Sequence, residues 1–312
     1  MFGRKYQSLE QIGQGKFGVV FKGKNTKTNE PVAIKTVNNN RGINVLKHEA
    51  TILNYLYTNG CRCVPIVYWY GLANVESAAG YAMVIPLYQL SLTQIFFNAN
   101  NIDNSIRSKN VDKIDAIMRE LLNGLMSIHG LGIIHRDIKP DNIMFSDGEF
   151  FFVDFGFASS YSNQKSIADK DKDNNKNTIL TGSPKYASIN IHMGAEPNRR
   201  DDLISLGYVY LYMLMGELEW TDTNQVASNI DKENLSSPYL MEIAAAKSLT
   251  RISTRIVMSE KIYQYLDICY HLAINDSVSI EQTMFYTIEY STSLRNGTPE
   301  GRLDRDSRAT LR

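Results

Sequence analysis

The run HRDIKPDN at residues 135–142, followed by the triplet Asp154, Phe155 and Gly156, holds carboxylates, an amide and a lysine of the kinds that phosphoryl transfer demands. It offers a candidate proton acceptor, two candidate magnesium ligands and a phosphate-neutralising cation within about twenty residues. A departing phosphoryl group carries spread charge, so its transfer rests on positioning and neutralisation more than on covalent attack. Any one of these short strings could occur alone. Their order and spacing point together to that chemistry.

Something must position these groups, and the elements upstream are suited to it. Gly13, Gly15 and Gly18 lie in IGQGKFGVV, flanked by Leu9, Ile12, Val19, Val20 and Phe21, which read as two strands joined by a flexible turn. By themselves the glycines could simply punctuate a hairpin. About fifteen residues further on, VAIK ends at Lys35 inside a short apolar strand. A dinucleotide-binding fold is excluded, because it would open a helix directly after the glycines. Residues 43–57 carry Ile43, Leu46, Ala50, Leu53 and Tyr57 at helical spacing, with Glu49 beside that stripe. A glutamate there could be a solvated surface charge, but a helix following this strand favours an ion pair with Lys35.

This set of residues resembles the eukaryotic protein kinase family. The resemblance implies an α+β, bilobal fold with a small β-rich N-lobe and a larger, mainly α-helical C-lobe, using ATP and magnesium. Asp137 would accept the substrate hydroxyl's proton, Lys139 would sit against the transferred phosphate, and Ser183 would bridge the two. Asn142 and Asp154 would bind the metal. Ile12, Gly13, Gly15, Gly18, Val20, Ala33 and Lys35, the last paired with Glu49, would surround the nucleotide. Ile85 would face the adenine, Pro86 would open the hinge with its carbonyl, and the backbone N–H of Tyr88 would complete it; proline's missing donor is compatible with that pattern. Arg136 and His135 are expected to be scaffold, the histidine packing beneath Phe155. A lysine two places after the catalytic aspartate resembles the serine/threonine branch.

A second block, TGSPKYASINIHMG at residues 181–194 and RRDDLISLGYVYLYMLMGELEW at residues 199–220, is similar to the casein kinase I group. There Ser188, Ile189 and Asn190 replace the usual alanine, proline and glutamate triplet. Asp202 would hydrogen-bond the backbone of the catalytic loop, and Asp201 and Asp202 could at the same time be a helix N-terminal pair favoured by the macrodipole. Lys185, with Lys176, would form an anion pocket favouring acidic or already phosphorylated substrates; the plain alternative is two solvated loop lysines. The group is usually active without a phosphate on its activation segment, so basal activity is expected. The resemblance covers roughly residues 6–220 and fades beyond Trp220.

The resulting division is an N-lobe over residues 1–88, a C-lobe over 89–294 and a polar tail over 295–312, expected to be disordered. Asp112 is expected to cap a helix carrying Ile114, Ile117, Leu121, Leu125 and Ile128, stopped by Gly130 and Gly132. Residues 159–177 read as a mobile loop.

Composition narrows the class further. With 312 residues, 43% of them hydrophobic, the chain is about twice a typical domain and can bury substantial cores. Basic and acidic residues number 33 each, so net charge argues for neither nucleic acid nor an acidic membrane as partner. Cys61, Cys63 and Cys269 form no disulfide framework or zinc set. Arg4, Lys5 and Glu10 interrupt any leading hydrophobic run, and residues 203–216 are too short to span a bilayer, so an intracellular chain, cytoplasmic or nuclear, is expected. Protein substrates bearing serine or threonine and a monomeric state complete the expectation. Two alternatives remain: a pseudokinase scaffold, against which Lys35, Glu49, Asp137, Asn142 and Asp154 argue together, and a small-molecule phosphotransferase of similar fold.

Overall fold

The computed structural model describes residues 2–15, 18–38, 40–75, 78–97, 111–161, 182–218, 220, 238–247 and 260–271. Strands β1 (Tyr6–Gly15), β2 (Gly18–Asn25), β3 (Pro31–Val37), β4 (Trp69–Val75) and β5 (Ala78–Pro86) form an antiparallel sheet in the order β1-β2-β3-β5-β4. Helix α1 (Asn40–Thr58) follows β3. Side chains alternate across a strand, so one face of the sheet receives Val32, Ile34, Ala82 and Val84, buried with Phe2 and Tyr6 in a small core. The intervening residues of β3, Ala33 and Lys35, therefore belong to the opposite face.

The helical part carries β6 (Leu90–Ser91), α2 (Leu92–Phe97), α3 (Val111–Gly130), β7 (Ile133–Ile134), β8 (Ile143–Ser146) and β9 (Glu149–Phe152). It continues with β10 (Ser159–Ser160), α4 (Ile189–His192), α5 (Arg199–Met215), α6 (Pro238–Ala246) and α7 (Glu260–His271). Both the small-lobe helix α1 and the large-lobe helices feed one core, in which Leu46, Leu53 and Met83 join Met118, Leu122, Leu125, Leu206 and Leu266. Helix α5 is buried almost all round, which explains its lack of a polar face. A bilobal α+β architecture is thus observed as expected.

Two local expectations are corrected. Asp112 stands inside the first turn of α3 rather than ahead of it, where its carboxylate still complements the helix's positive end. Ser159 and Ser160 are not loop: as β10 they pair with Ile134 and Ile133, giving these backbone groups a partner. Residues 162–177 of that loop, most of the region after Trp220 and the whole 295–312 tail lie outside the described residues. The three cysteines are free thiols, with Cys61 Sγ and Cys63 Sγ 3.4 Å apart.

Candidate active site

Strand register builds the side of the site expected to face a nucleotide. Gly13 faces Val20, Val20 faces Lys35, and Lys35 faces Met83 across four successive strands. Ala33 opposes Ile85 in the adjoining row, so Val20, Ala33, Lys35 and Ile85 share one surface. The β1–β2 register shifts between Gln11 and Gly13, leaving Ile12 as an extra residue that stays exposed. Gly15 and Gly18 close the two strands, and Gly18 is sterically required: a Cβ there would lie 2.1 Å from the Thr36 carbonyl oxygen. No such contact surrounds Gly15. Pro86 ends β5 opposite Val32, where the strand finishes and a missing N–H is tolerated. Beyond it the Tyr88 ring stacks on Phe151 at 4.5 Å.

Lys35 lies between two carboxylates, its Nζ 2.7 Å from Glu49 Oε2 and 2.8 Å from Asp154 Oδ1. Burial opposes the ammonium charge, but Glu49 and Asp154 outweigh it and hold the lysine above its ordinary range. Burial pushes the Glu49 carboxyl up, against the pull of Lys35. For Asp154 burial acts upward too, yet Lys35 wins and keeps the group ionised below the usual carboxylate range. Asp154 adopts a left-handed backbone, φ 65°, at the start of the turn Phe155–Phe157. Such a conformation is costly for a non-glycine residue and persists only where surroundings enforce it. The Lys35 bond is one such constraint. His135 packing against Phe155, ring centroids 4.5 Å apart, is another.

The transfer side is a connected chain of hydrogen bonds. Lys139 Nζ reaches both Asp137 Oδ2, at 2.8 Å, and Ser183 Oγ, at 2.9 Å. Asn142 Nδ2 donates to the Asp137 carbonyl at 2.9 Å and to its Oδ2 at 3.0 Å. Asp137 Oδ1, by contrast, is buried without a partner. An acceptor left open in this way is unusual enough to ask what would donate to it. Gly182 approaches it closely, with φ 93° and a position where a Cβ would stand 2.5 Å from the Arg136 carbonyl oxygen.

The loop carrying Asp137 is itself held from α5. Asp202 accepts from His135 N at 2.7 Å, Arg136 N at 2.8 Å and His129 Nε2 at 3.0 Å, with His129, His135 and Asp202 all buried. These bonds fix Arg136 in a left-handed conformation, φ 70°. Its neighbour Asp201 serves the helix instead, accepting from Asn198 N at 2.9 Å and from Ser188 Oγ at 2.6 Å. Both readings of the aspartate pair therefore hold, one for each residue. Ser188 caps α4, which accounts for the first member of the replaced triplet.

An ATP–magnesium complex fits these residues. Asn142 Nδ2 is engaged with Asp137, leaving its carbamoyl oxygen for a cation, and Asp154 keeps one oxygen beyond its Lys35 bond. Among the described residues no cluster of three His, Cys, Asp or Glu side chains could cage a metal, and magnesium ordinarily completes its sphere with substrate phosphates and water.

Lys185 departs from the picture of a free loop charge. Its Nζ lies 4.6 Å from the Tyr212 ring centroid, and burial pushes its pKa down. Lys176 lies outside the described residues. Several contributors had no role assigned from the sequence: Gly182 beside Asp137 and His192 lie within the string at residues 181–194, while His129 beneath Asp202 and Lys247 lie outside every motif. His192 is 4% exposed, and burial together with the neighbouring Lys247 lowers its pKa to about 3. The unfolded imidazole binds its proton near pH 6.5, the folded one only near 3, so stability is retained above about pH 6.5 and declines below it by up to about 1.4 kcal/mol per pH unit. Urea unfolding at pH 7 and 5.5 checks this; the difference should shrink by about 1 kcal/mol in His192→Gln.

The fold has two lobes, and the protein kinase domain profile matches residues 6–286, well past Trp220. The chain belongs to the protein kinase family. It is similar to Casein kinase I homolog 3 of Schizosaccharomyces pombe (strain 972 / ATCC 24843), 32% identical over 224 residues, or 70% of this chain and 48% of that protein. The chain thus spans about half the length of this curated relative, and the match supports the casein kinase I grouping. Among the described residues no helix is long and apolar enough to cross a membrane.

Proposed function

We propose that this chain transfers the terminal phosphate of magnesium ATP to serine or threonine in proteins. The observation that carries the reading is Lys139 joined to both Asp137 and Ser183, with Asp137 Oδ1 left open for a hydroxyl donor. Bound magnesium ATP supplies the phosphoryl group and the divalent charge that neutralises it. Lys35, oriented by Glu49, holds the phosphates; Asp137 takes the hydroxyl proton; Lys139 offsets charge on the group in transit. The assembled Lys35–Glu49 pair and Lys139–Ser183 bond also favour basal activity, without prior phosphorylation of the activation segment.

The test is incubation of the purified protein with labelled ATP, magnesium and casein, then phosphoamino-acid analysis. Label on phosphoserine or phosphothreonine is expected. No transfer, or label on tyrosine alone, would contradict the proposal.

An acidic or phosphorylated residue in the substrate is the proposed partner of Lys185. A half-buried ammonium over an aromatic ring is poorly hydrated, so an arriving anion meets less competing water, though without arginine's bidentate fork. Lys185→Glu should raise KM for a phosphorylated peptide by about tenfold and far less for its unphosphorylated counterpart. Equal effects on both peptides would remove Lys185 from substrate choice.

A further inference from the structure

Lys247, directly after α6, is wholly buried, and that burial drives its pKa well below the usual lysine range. An isolated buried ammonium is costly unless its donors are satisfied. Here the satisfaction comes from one stretch of backbone: Nζ donates to the carbonyls of Pro184 and Ala187, each at 2.6 Å. His192 Nε2 lies 3.1 Å from Nζ and 3.2 Å from the Pro184 carbonyl oxygen, and the rings of Tyr208 and Trp220 lie 5.1 and 5.8 Å away. Trp220 grips the same stretch, its Nε1 donating to the Lys185 carbonyl at 2.8 Å. Carbonyls 184, 185 and 187 are therefore all held by two side chains. Ser183, next to them, is the residue that receives Lys139.

An amino group buried where, among the described residues, no carboxylate pairs with it keeps its hydrogen bonds only while those carbonyls stay where they are, so its burial cost is tied to the geometry of residues 184–187. We propose that Lys247 is a positioning residue for the protein substrate, which with Trp220 fixes this stretch as the platform on which the acceptor segment lies beside Ser183 and Lys185. The inference rests on the kinase reading of the site. Lys247 touches none of the reacting groups, so its removal acts on peptide binding ahead of nucleotide binding.

Steady-state transfer to a casein-derived peptide, with peptide and ATP varied separately, tests this in the parent, Lys247→Met and Trp220→Phe. Lys247→Met should raise peptide KM by about tenfold to a hundredfold, the range for losing two buried hydrogen bonds and leaving their carbonyls unpaired, with KM for ATP changed by less than about twofold. Trp220→Phe keeps an aromatic ring, loses one neutral hydrogen bond and should raise peptide KM by about fivefold. An unchanged peptide KM in Lys247→Met overturns the proposal. So does a fall in kcat with both KM values unchanged, the pattern of a partly unfolded population. If Lys247→Met shows no thermal shift with nucleotide, Trp220→Phe decides in its place by the same criteria. Absence of transfer by the parent protein would strike the kinase reading itself, whereas parental KM values in the variants strike only the platform.

Discussion

Asp137→Asn is expected to lower kcat by at least about a hundredfold to ten-thousandfold, the range for losing a positioned base. Oδ2 of Asp137 already accepts from Lys139 and Asn142, so the asparagine side chain must place its oxygen there to keep those bonds. Its NH₂ then occupies the position of Oδ1, the open acceptor. A substrate hydroxyl would meet a donor in place of a carboxylate oxygen, with the negative charge gone. Volume and two hydrogen bonds are kept, so the variant should bind nucleotide with near-parental affinity. Transfer assays with nucleotide titration check both halves. Near-parental turnover would remove Asp137 from the proposed chemistry.

Asp202→Ala should have the largest effect on stability, about 3–5 kcal/mol, the scale for removing one partner of a buried charged network. The backbone amides of His135 and Arg136 and the ring of His129 would lose their acceptor together, two of the three from fully buried residues. Arg136 would also lose what holds it in the left-handed region. The midpoint of thermal unfolding should drop by roughly ten degrees for a chain of this size. Burial raises the Asp202 carboxyl's pKa, but bonding from His129 and the loop amides reverses this and leaves it below its unfolded value. Its contribution is therefore full above about pH 4 and fades as pH falls through the folded pKa, a dependence the alanine variant should lack. Unchanged unfolding in Asp202→Ala would show that the loop is held elsewhere.

The residues that do the proposed chemistry were legible from local strings because phosphoryl transfer demands particular functional groups at short spacings, and backbone geometry converts those spacings into reach. Lys35 and Glu49 were legible for a related reason. A strand followed by an amphipathic helix presents one residue of each to the same cleft, and helical periodicity placed Glu49 beside the buried stripe. The bulge that leaves Ile12 exposed, the strand at Ser159 and Ser160 and the place of Asp112 within its helix were not legible, since each depends on which backbone groups happen to find partners.

By itself the sequence determined the two-lobed class, the order of the catalytic parts and the identity of their charges. The resemblance had already given Asp202 to the loop carrying Asp137; only the tertiary structure brought the Ser188 hydroxyl onto Asp201 and so tied that residue to its own helix and to the start of α4. It alone placed His129 under Asp202 and folded Lys185 onto Tyr212. It also buried Lys247, a residue that in sequence is one more surface-type charge after an alanine run, against carbonyls some sixty positions earlier. Backbone carbonyls are the same at every position, so no pattern of side chains announces which of them a distant donor will reach.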